Sequence, residues 1–307
     1  MITVLISIFK SRITTVSILA LLALVACSET GTDDERLSIV ATTSIWGDVV
    51  TQIVGQDADV DVLIPRNVDA HDYQPTPRQA GSLLDADLVI ANGLGLEEGL
   101  QDVLDSAVND GARVIELTPR LDPLPFPGGD SDSLDPHVWF DPQRVALATD
   151  LIAAELHSVD DSVDWAARAE AYVAELTAAD EEMRGLLSSV PEESRKMVTN
   201  HQALGYLANT YDLEIVGVVI PGGSTLADPS SAELAALVDV IEKEDVDVIF
   251  NETSLPDRLA EAVAAEVGRD ISVVAIYTES LGDPGTPAGS LIGMLIEDAR
   301  LISEALG

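Results

Sequence analysis

From Leu37 onward, short runs of β-branched and other apolar residues alternate with longer segments whose apolar positions recur every three or four residues. Residues 39–43, 60–64, 88–91 and 112–117 read as strands, and 45–54, 78–84 and 96–108 as the helices between them. Gly55 stands where the end of a helix favours glycine. Apolar strands joined by amphipathic helices predict a mostly parallel sheet covered by helices on both faces. The rhythm breaks over 118–135, a loop rich in proline and aspartate, and resumes as a helix over 142–158 with Pro142 in its first turn.

The longest helical pattern comes next. Over 162–189, Trp165, Ala169, Tyr172, Val173, Leu176, Met183, Leu186 and Leu187 follow the 3.6-residue period. A helix of that length would run ~42 Å, which suits a spine between two lobes. Two shorter helices broken near Ala178 are the alternative. Beyond Pro191 the alternation returns, with strands over 196–199, 213–220, 246–250 and 271–277 and helices over 202–210, 230–244, 256–267 and 291–305. The expected architecture is α/β: an N-terminal lobe over 37–159, a linking helix over 160–190 and a C-terminal lobe over 191–307. Each lobe is expected to be a mostly parallel sheet flanked by helices, with a cleft between the lobes.

Ahead of this body, Lys10 and Arg12 precede a short apolar core that ends in Leu24-Val25-Ala26-Cys27, and a polar stretch follows. This reads as a cleaved export signal over 1–26 and a tether over 27–36; the apolar run is shorter than the ~20 residues a spanning helix needs. Cys27 is the one cysteine, so the folded body has no disulfide, thiolate metal cage or thiol nucleophile to draw on. With 54 acidic against 16 basic residues the net charge is −38, and losing Lys10 and Arg12 with the signal makes it more negative still. Such a surface repels phosphate backbones, which argues against a nucleic-acid partner, and draws cations towards its clefts.

Three of the four histidines fall where predicted strands run into loops. His71 lies in Asp69-Ala-His71-Asp-Tyr-Gln-Pro75-Thr-Pro77, His137 in Asp135-Pro-His137-Val-Trp139-Phe-Asp141-Pro142, and His201 in His201-Gln-Ala-Leu-Gly-Tyr-Leu207. The flanking prolines keep the first two off regular helix and central strand. In open parallel sheets ligands bind beyond the carboxyl ends of the strands, and Glu279 reaches the same edge just after the strand over 271–277. His157 lies instead near the end of a helix, where the dipole favours a cation, and is excluded from the site.

Together with Asn251-Glu-Thr-Ser254 and Tyr277-Thr-Glu-Ser280, these motifs resemble the metal-binding lipoproteins of bacterial ABC importers, the cluster A-I, zinc-uptake or TroA-like family. The likeness runs over nearly the whole chain after the signal. It implies two α/β lobes joined by one long helix, with a metal buried between them and His71, His137, His201 and Glu279 as its ligands. It also implies that Cys27 closes a lipobox and carries the lipid that holds a monomer to the outer side of the cell membrane. The partners implied are an ABC permease and its separate ATPase, since this chain lacks the Gly-x-x-x-x-Gly-Lys-Ser/Thr loop. Three departures stand out: Ala70 where a proline often precedes the first histidine, Glu279 where aspartate is usual, and no histidine-rich loop within 118–135.

Three imidazoles and one carboxylate make an N₃O set that suits zinc, whereas manganese prefers oxygen-rich, higher coordination. Manganese or iron, carried by receptors of the same importer class, is the alternative. A secreted zinc hydrolase is a further one, since three histidines without Glu279 would meet its ligand count, but no His-Glu-x-x-His or nucleophile motif supports it. A surface adhesin has no sequence feature of its own. Asp69, Asp72, Asp141 and Glu252 are the carboxylates expected to orient the imidazoles from outside.

Overall fold

The computed structural model describes residues 36–126 and 133–307; the predicted signal and Cys27 lie outside the described residues. In the first lobe the strands are β1 (Leu37–Ala41), β2 (Ala58–Val62), β3 (Leu88–Ala91) and β4 (Val114–Glu116). They pair in parallel in the order β2-β1-β3-β4, with Leu37 opposite Ala58, Ile39 opposite Leu88 and Val89 opposite Val114. The second lobe repeats the plan with β5 (Lys196–Thr199), β6 (Glu214–Val218), β7 (Val248–Glu252) and β8 (Ser272–Ile276), parallel in the order β6-β5-β7-β8. Every residue of β3 and of β7 is buried, as expected of inner strands with helices on both sides.

Helices α1 (Ser44–Val54), α2 (Pro77–Asp85) and α3 (Gln101–Asn109) belong to the first sheet. The Thr43 side chain caps α1 by accepting from Trp46 N, and Gly55 ends it at φ 59°. Thr76 and Gln79 form a capping box at α2. The helix predicted over 96–108 is divided: after Gly93, Leu94 and Gly95, all at positive φ, the chain makes a 3₁₀ turn, Glu98–Leu100, before α3 begins.

Helix α4 (Pro142–Val159) leads to α5 (Trp165–Leu187), which runs unbroken through Ala178. At 23 residues it is shorter than the predicted 162–189. Asp164 caps it by accepting from Ala167 N at 3.1 Å, and Trp165 Nε1 donates to Asp160 O at 2.8 Å, so the residues between α4 and α5 are drawn into a tight turn. Helix α5 spans ~35 Å and lies between the two sheets in chain order. Its buried stripe, from Trp165 to Leu187, packs against α4, α1 and the last helix.

Helices α6 (Gly205–Tyr211), α7 (Ser231–Glu244), α8 (Arg258–Glu266) and α9 (Leu291–Leu306) complete the order. The predicted helix over 202–210 begins later than expected because residues 201–204 form a turn directly after β5. Asp48 Oδ2, on α1, accepts from Leu291 N at 2.8 Å and so fixes the start of α9 against the first lobe. One apolar cluster runs from Ile39 to Ile302 and draws on both lobes, while a smaller one, from Val198 to Val267, lies within the second. No helix among the described residues is long and apolar enough to cross a membrane.

Candidate metal centre

The four predicted site residues come from four separate segments and meet between the sheets. His71 sits in the loop between β2 and α2, and His137 begins the 3₁₀ turn Val138–Phe140 before α4. His201 follows β5 almost at once, and Glu279 follows β8. All four are buried, at 2% exposure or less. Nε2 of His71 and Nε2 of His201 each lie 2.9 Å from Glu279 Oε1, and Nε2 of His137 lies 3.4 Å from the same oxygen. The two nitrogens of His137 and His201 are 3.4 Å apart.

A tetrahedral ion with bonds of ~2.0–2.1 Å places its donor atoms ~3.3 Å apart; the four distances above lie near that value, and all the donor atoms fall within 4.8 Å of one another. Glu279 Oε1 and His71 Nε2 are buried without a hydrogen-bond partner among the described residues. Buried polar atoms left unpaired are costly, and a cation at their centre would satisfy both. Glu279 Oε2 accepts from Ala70 N at 3.3 Å, while Oε1 faces the three imidazoles.

Local structure aims each imidazole. Asp135 Oδ1 accepts from His137 N at 2.9 Å and lies 2.7 Å from His137 Nδ1, closing a turn around the histidine. Asn92 Nδ2 donates to Pro136 O at 3.1 Å, Tyr206 OH donates to Asp135 O at 2.8 Å, and the Trp139 ring meets His137 edge-on. His201 Nδ1 bonds Glu252 Oε1, and Thr278 Oγ1 donates to Glu252 Oε2 at 2.6 Å. Since β5 and β7 are neighbours at the point where strand order reverses, His201 and Glu252 project from the natural crevice of that sheet. With Nδ1–H directed at carboxylates, Nε2 of His137 and of His201 presents its lone pair inward.

The expected outer carboxylates divide. Glu252 holds an imidazole. Asp69 accepts from the backbone N of His71 at 2.9 Å and from Thr225 Oγ1 at 2.6 Å, so it fixes the loop and not the ring. Asp141 caps α4 and pairs with Arg144, and Asp72 is exposed at the surface. Sequence reasoning missed Asp135 and Glu98, the latter with Oε1 3.2 Å from His71 Nδ1. The Asp-x-His spacing was a readable signal for Asp135; Glu98 has none, because a loop from the next βα unit delivers it.

The electrostatics follow from this packing. Burial works against charge on Glu279, yet the three surrounding imidazoles hold its carboxyl well below the usual range. Burial likewise lowers His137 and His201, but Asp135 and Glu279 raise the first, and Glu252 and Glu279 raise the second further. Asp69 is pushed up to about 6 by burial and by the nearby Glu279 charge. The cluster is thus arranged for positive charge at its centre.

Backbone and side-chain bonds tie the lobes around it. Trp139 Nε1 donates to Thr278 O at 2.8 Å, Asn67 N to Ser280 Oγ at 2.7 Å, and Arg66 Nη1 to the carbonyls of Gly282 and Gly289 at 2.6 and 2.9 Å. These bonds frame Glu279 on both sides.

Residues 39–305 match the family model of the zinc-uptake complex component A, periplasmic. The chain is 31% identical over 286 residues to the manganese-binding lipoprotein MntA of Halalkalibacterium halodurans, a match covering 91% of this chain and 93% of that protein. It is also 31% identical over 301 residues to MntA of Bacillus subtilis, covering 94% and 96%. The solved structure of the periplasmic zinc-binding protein TroA from Treponema pallidum aligns with a TM-score of 0.83 at 27% identity, covering 89% of this chain and 99% of that one. The match reaches from the first strand into the last helix, so the chain belongs to the cluster A-I, zinc-uptake family of metal-binding ABC-importer receptors and is not an enzyme.

Proposed function

We infer that the protein captures zinc outside the cytoplasmic membrane and hands it to an ABC permease driven by a separate ATPase. His71, His137, His201 and Glu279 are the ligands. The observation that carries this reading is the convergence of three imidazole Nε2 atoms on the single oxygen Glu279 Oε1. Three nitrogens and one monodentate oxygen make the low-coordinate N₃O set that zinc takes readily. The lobes over 37–159 and 191–307, with the helical segment over 160–190 between them, would part to release the ion. Cys27, lipidated, would keep the receptor at the membrane; Cys27→Ser should release it to the soluble fraction.

Manganese is the second reading, and the two MntA relatives named as manganese-binding favour it. Against it stands the oxygen-poor donor set, three imidazole nitrogens and one carboxylate. The test is elemental analysis of protein purified without added metal, followed by competition between zinc and manganese. One equivalent of zinc that manganese does not displace supports the first reading. Preferential manganese loading at equal free concentrations reverses it.

A further inference from the structure

The three histidines differ in what stands behind them. Asp135 and Glu252, the partners of His137 and His201, are 1% and 2% exposed, whereas the Glu98 side chain behind His71 is 40% exposed. His71 Nδ1 is buried and lacks a hydrogen bond among the described residues, although Glu98 Oε1 lies only 3.2 Å away. The geometry points to Glu98 as a positioning residue that sets how long the bound ion stays, by engaging the Nδ1–H of His71 from the solvent side. This rests on the four-ligand site proposed above.

The backbone beneath Glu98 is fixed while its side chain is 40% exposed. The neighbouring Glu97 is buried and accepts from Thr42 Oγ1 at 2.5 Å, Asn92 N at 2.7 Å and Gly93 N at 3.2 Å. Gly99, on the other side, is pressed against the His71 loop so closely that a Cβ there would lie 2.1 Å from Tyr73 O. Glu98 is therefore held at a constant distance from the ring it serves, with only its side-chain torsions left to change.

A carboxylate on the outer nitrogen of a ligating imidazole fixes the ring's orientation and raises its basicity. Asp135 and Glu252 cannot leave their histidines without unpacking the core. Glu98 can turn to water, and each time it does, His71 loses the support the other two keep. His71 is thus the ligand that lets go first, and Glu98 governs the frequency.

The test is stopped-flow zinc binding, and zinc release to an excess of chelator, with the full chain and its Glu98→Ala, Glu98→Gln and Asp72→Ala variants. Glu98→Ala should release zinc about tenfold faster, the low end of the 10–100-fold effect of outer-partner loss because the Glu98 side chain is 40% exposed. Association should stay at the parent rate, and Asp72→Ala should match the parent throughout. Glutamine, whose Oε1 still accepts from Nδ1–H, should recover part of the loss.

Cobalt loading adds a readout that a general loosening of the fold would not move. Of the shifted imidazole N–H proton resonances, that of His71 should exchange fastest with water, and faster still in Glu98→Ala. A parent that binds no equivalent of zinc defeats the site itself. A parent that binds zinc while Glu98→Ala keeps the parent release rate, or changes only association as a merely attracting charge would, overturns the role of Glu98.

Discussion

Thr225 Oγ1 donates to Asp69 Oδ2 at 2.6 Å, while the other oxygen of Asp69 accepts from His71 N at 2.9 Å. One carboxylate thus joins the loop after β6 to the loop that carries His71 from the other lobe. Thr225→Val keeps the shape and deletes the donor. A net loss of ~1 kcal/mol for one hydrogen bond corresponds to roughly fivefold faster zinc release. The melting temperature of metal-free protein should change little, since Thr225 lies in a half-buried loop. Stopped-flow release at the parent rate would show that this bond does not hold the lobes around the ion.

Gly205 and Asp135 meet across the same boundary: a Cβ at Gly205 would lie 2.7 Å from Asp135 Oδ2. Gly205→Ala must therefore displace the carboxylate that aims His137. Zinc affinity should fall by about the 10–100-fold expected for losing an outer partner, and Asp135→Asn should fall within the same range. If both act through His137, the double variant should be little worse than Asp135→Asn alone. Isothermal titration of the three proteins checks this; fully additive losses would mean that Gly205 acts by another route.

Much of this molecule is legible in its sequence. The β-branched runs from Ile39 to Ile276 give both parallel sheets, because strands buried on both faces carry their own apolar signature. The proline-bracketed histidines pointed to the site. What could not be read was the set of contacts between distant segments. Glu98 reaches His71 from a turn that follows Gly93, Leu94 and Gly95, all at positive φ, and a residue such as Leu94 gives no warning of that conformation. Asp141, expected from the His137 motif to orient an imidazole, is committed to capping by its position at the start of α4.

Glu279 offers Oε1 to three imidazoles and Oε2 to Ala70 N. Glu279→Ala removes the one anionic group of the proposed site and the bond across the lobes together. Breaking a buried charge pair costs roughly 3–5 kcal/mol, so zinc affinity should fall by at least about 100-fold while three histidines still bind. Glu279→Asp should stay much closer to the parent, losing the Ala70 contact and keeping the ligand oxygen. X-ray absorption of the zinc-loaded variants counts the ligands. Parent-like affinity and an unchanged coordination shell in Glu279→Ala would remove Glu279 from the site.

Asp298, on α9, sits behind the Glu279 segment. Its Oδ1 accepts from Tyr277 N at 2.9 Å, and its Oδ2 has no hydrogen-bond partner among the described residues. Burial, with a smaller contribution from Glu297, pushes its carboxyl well above the usual range. Below about pH 4 the group is protonated whether the chain is folded or not, and it takes nothing from stability. Above that, the unfolded chain gives up the proton while the folded chain keeps it, so stability falls as pH rises until the folded group ionises too. Asp298→Asn still accepts from Tyr277 N but cannot ionise. Its melting temperature in metal-free protein should therefore rise relative to the parent as pH climbs above about 4, whatever fixed offset the new amide brings. The difference between the two proteins is the quantity to follow, since every other titrating group is common to both. A difference that stays flat across that range would show that Asp298 is already ionised in the folded chain.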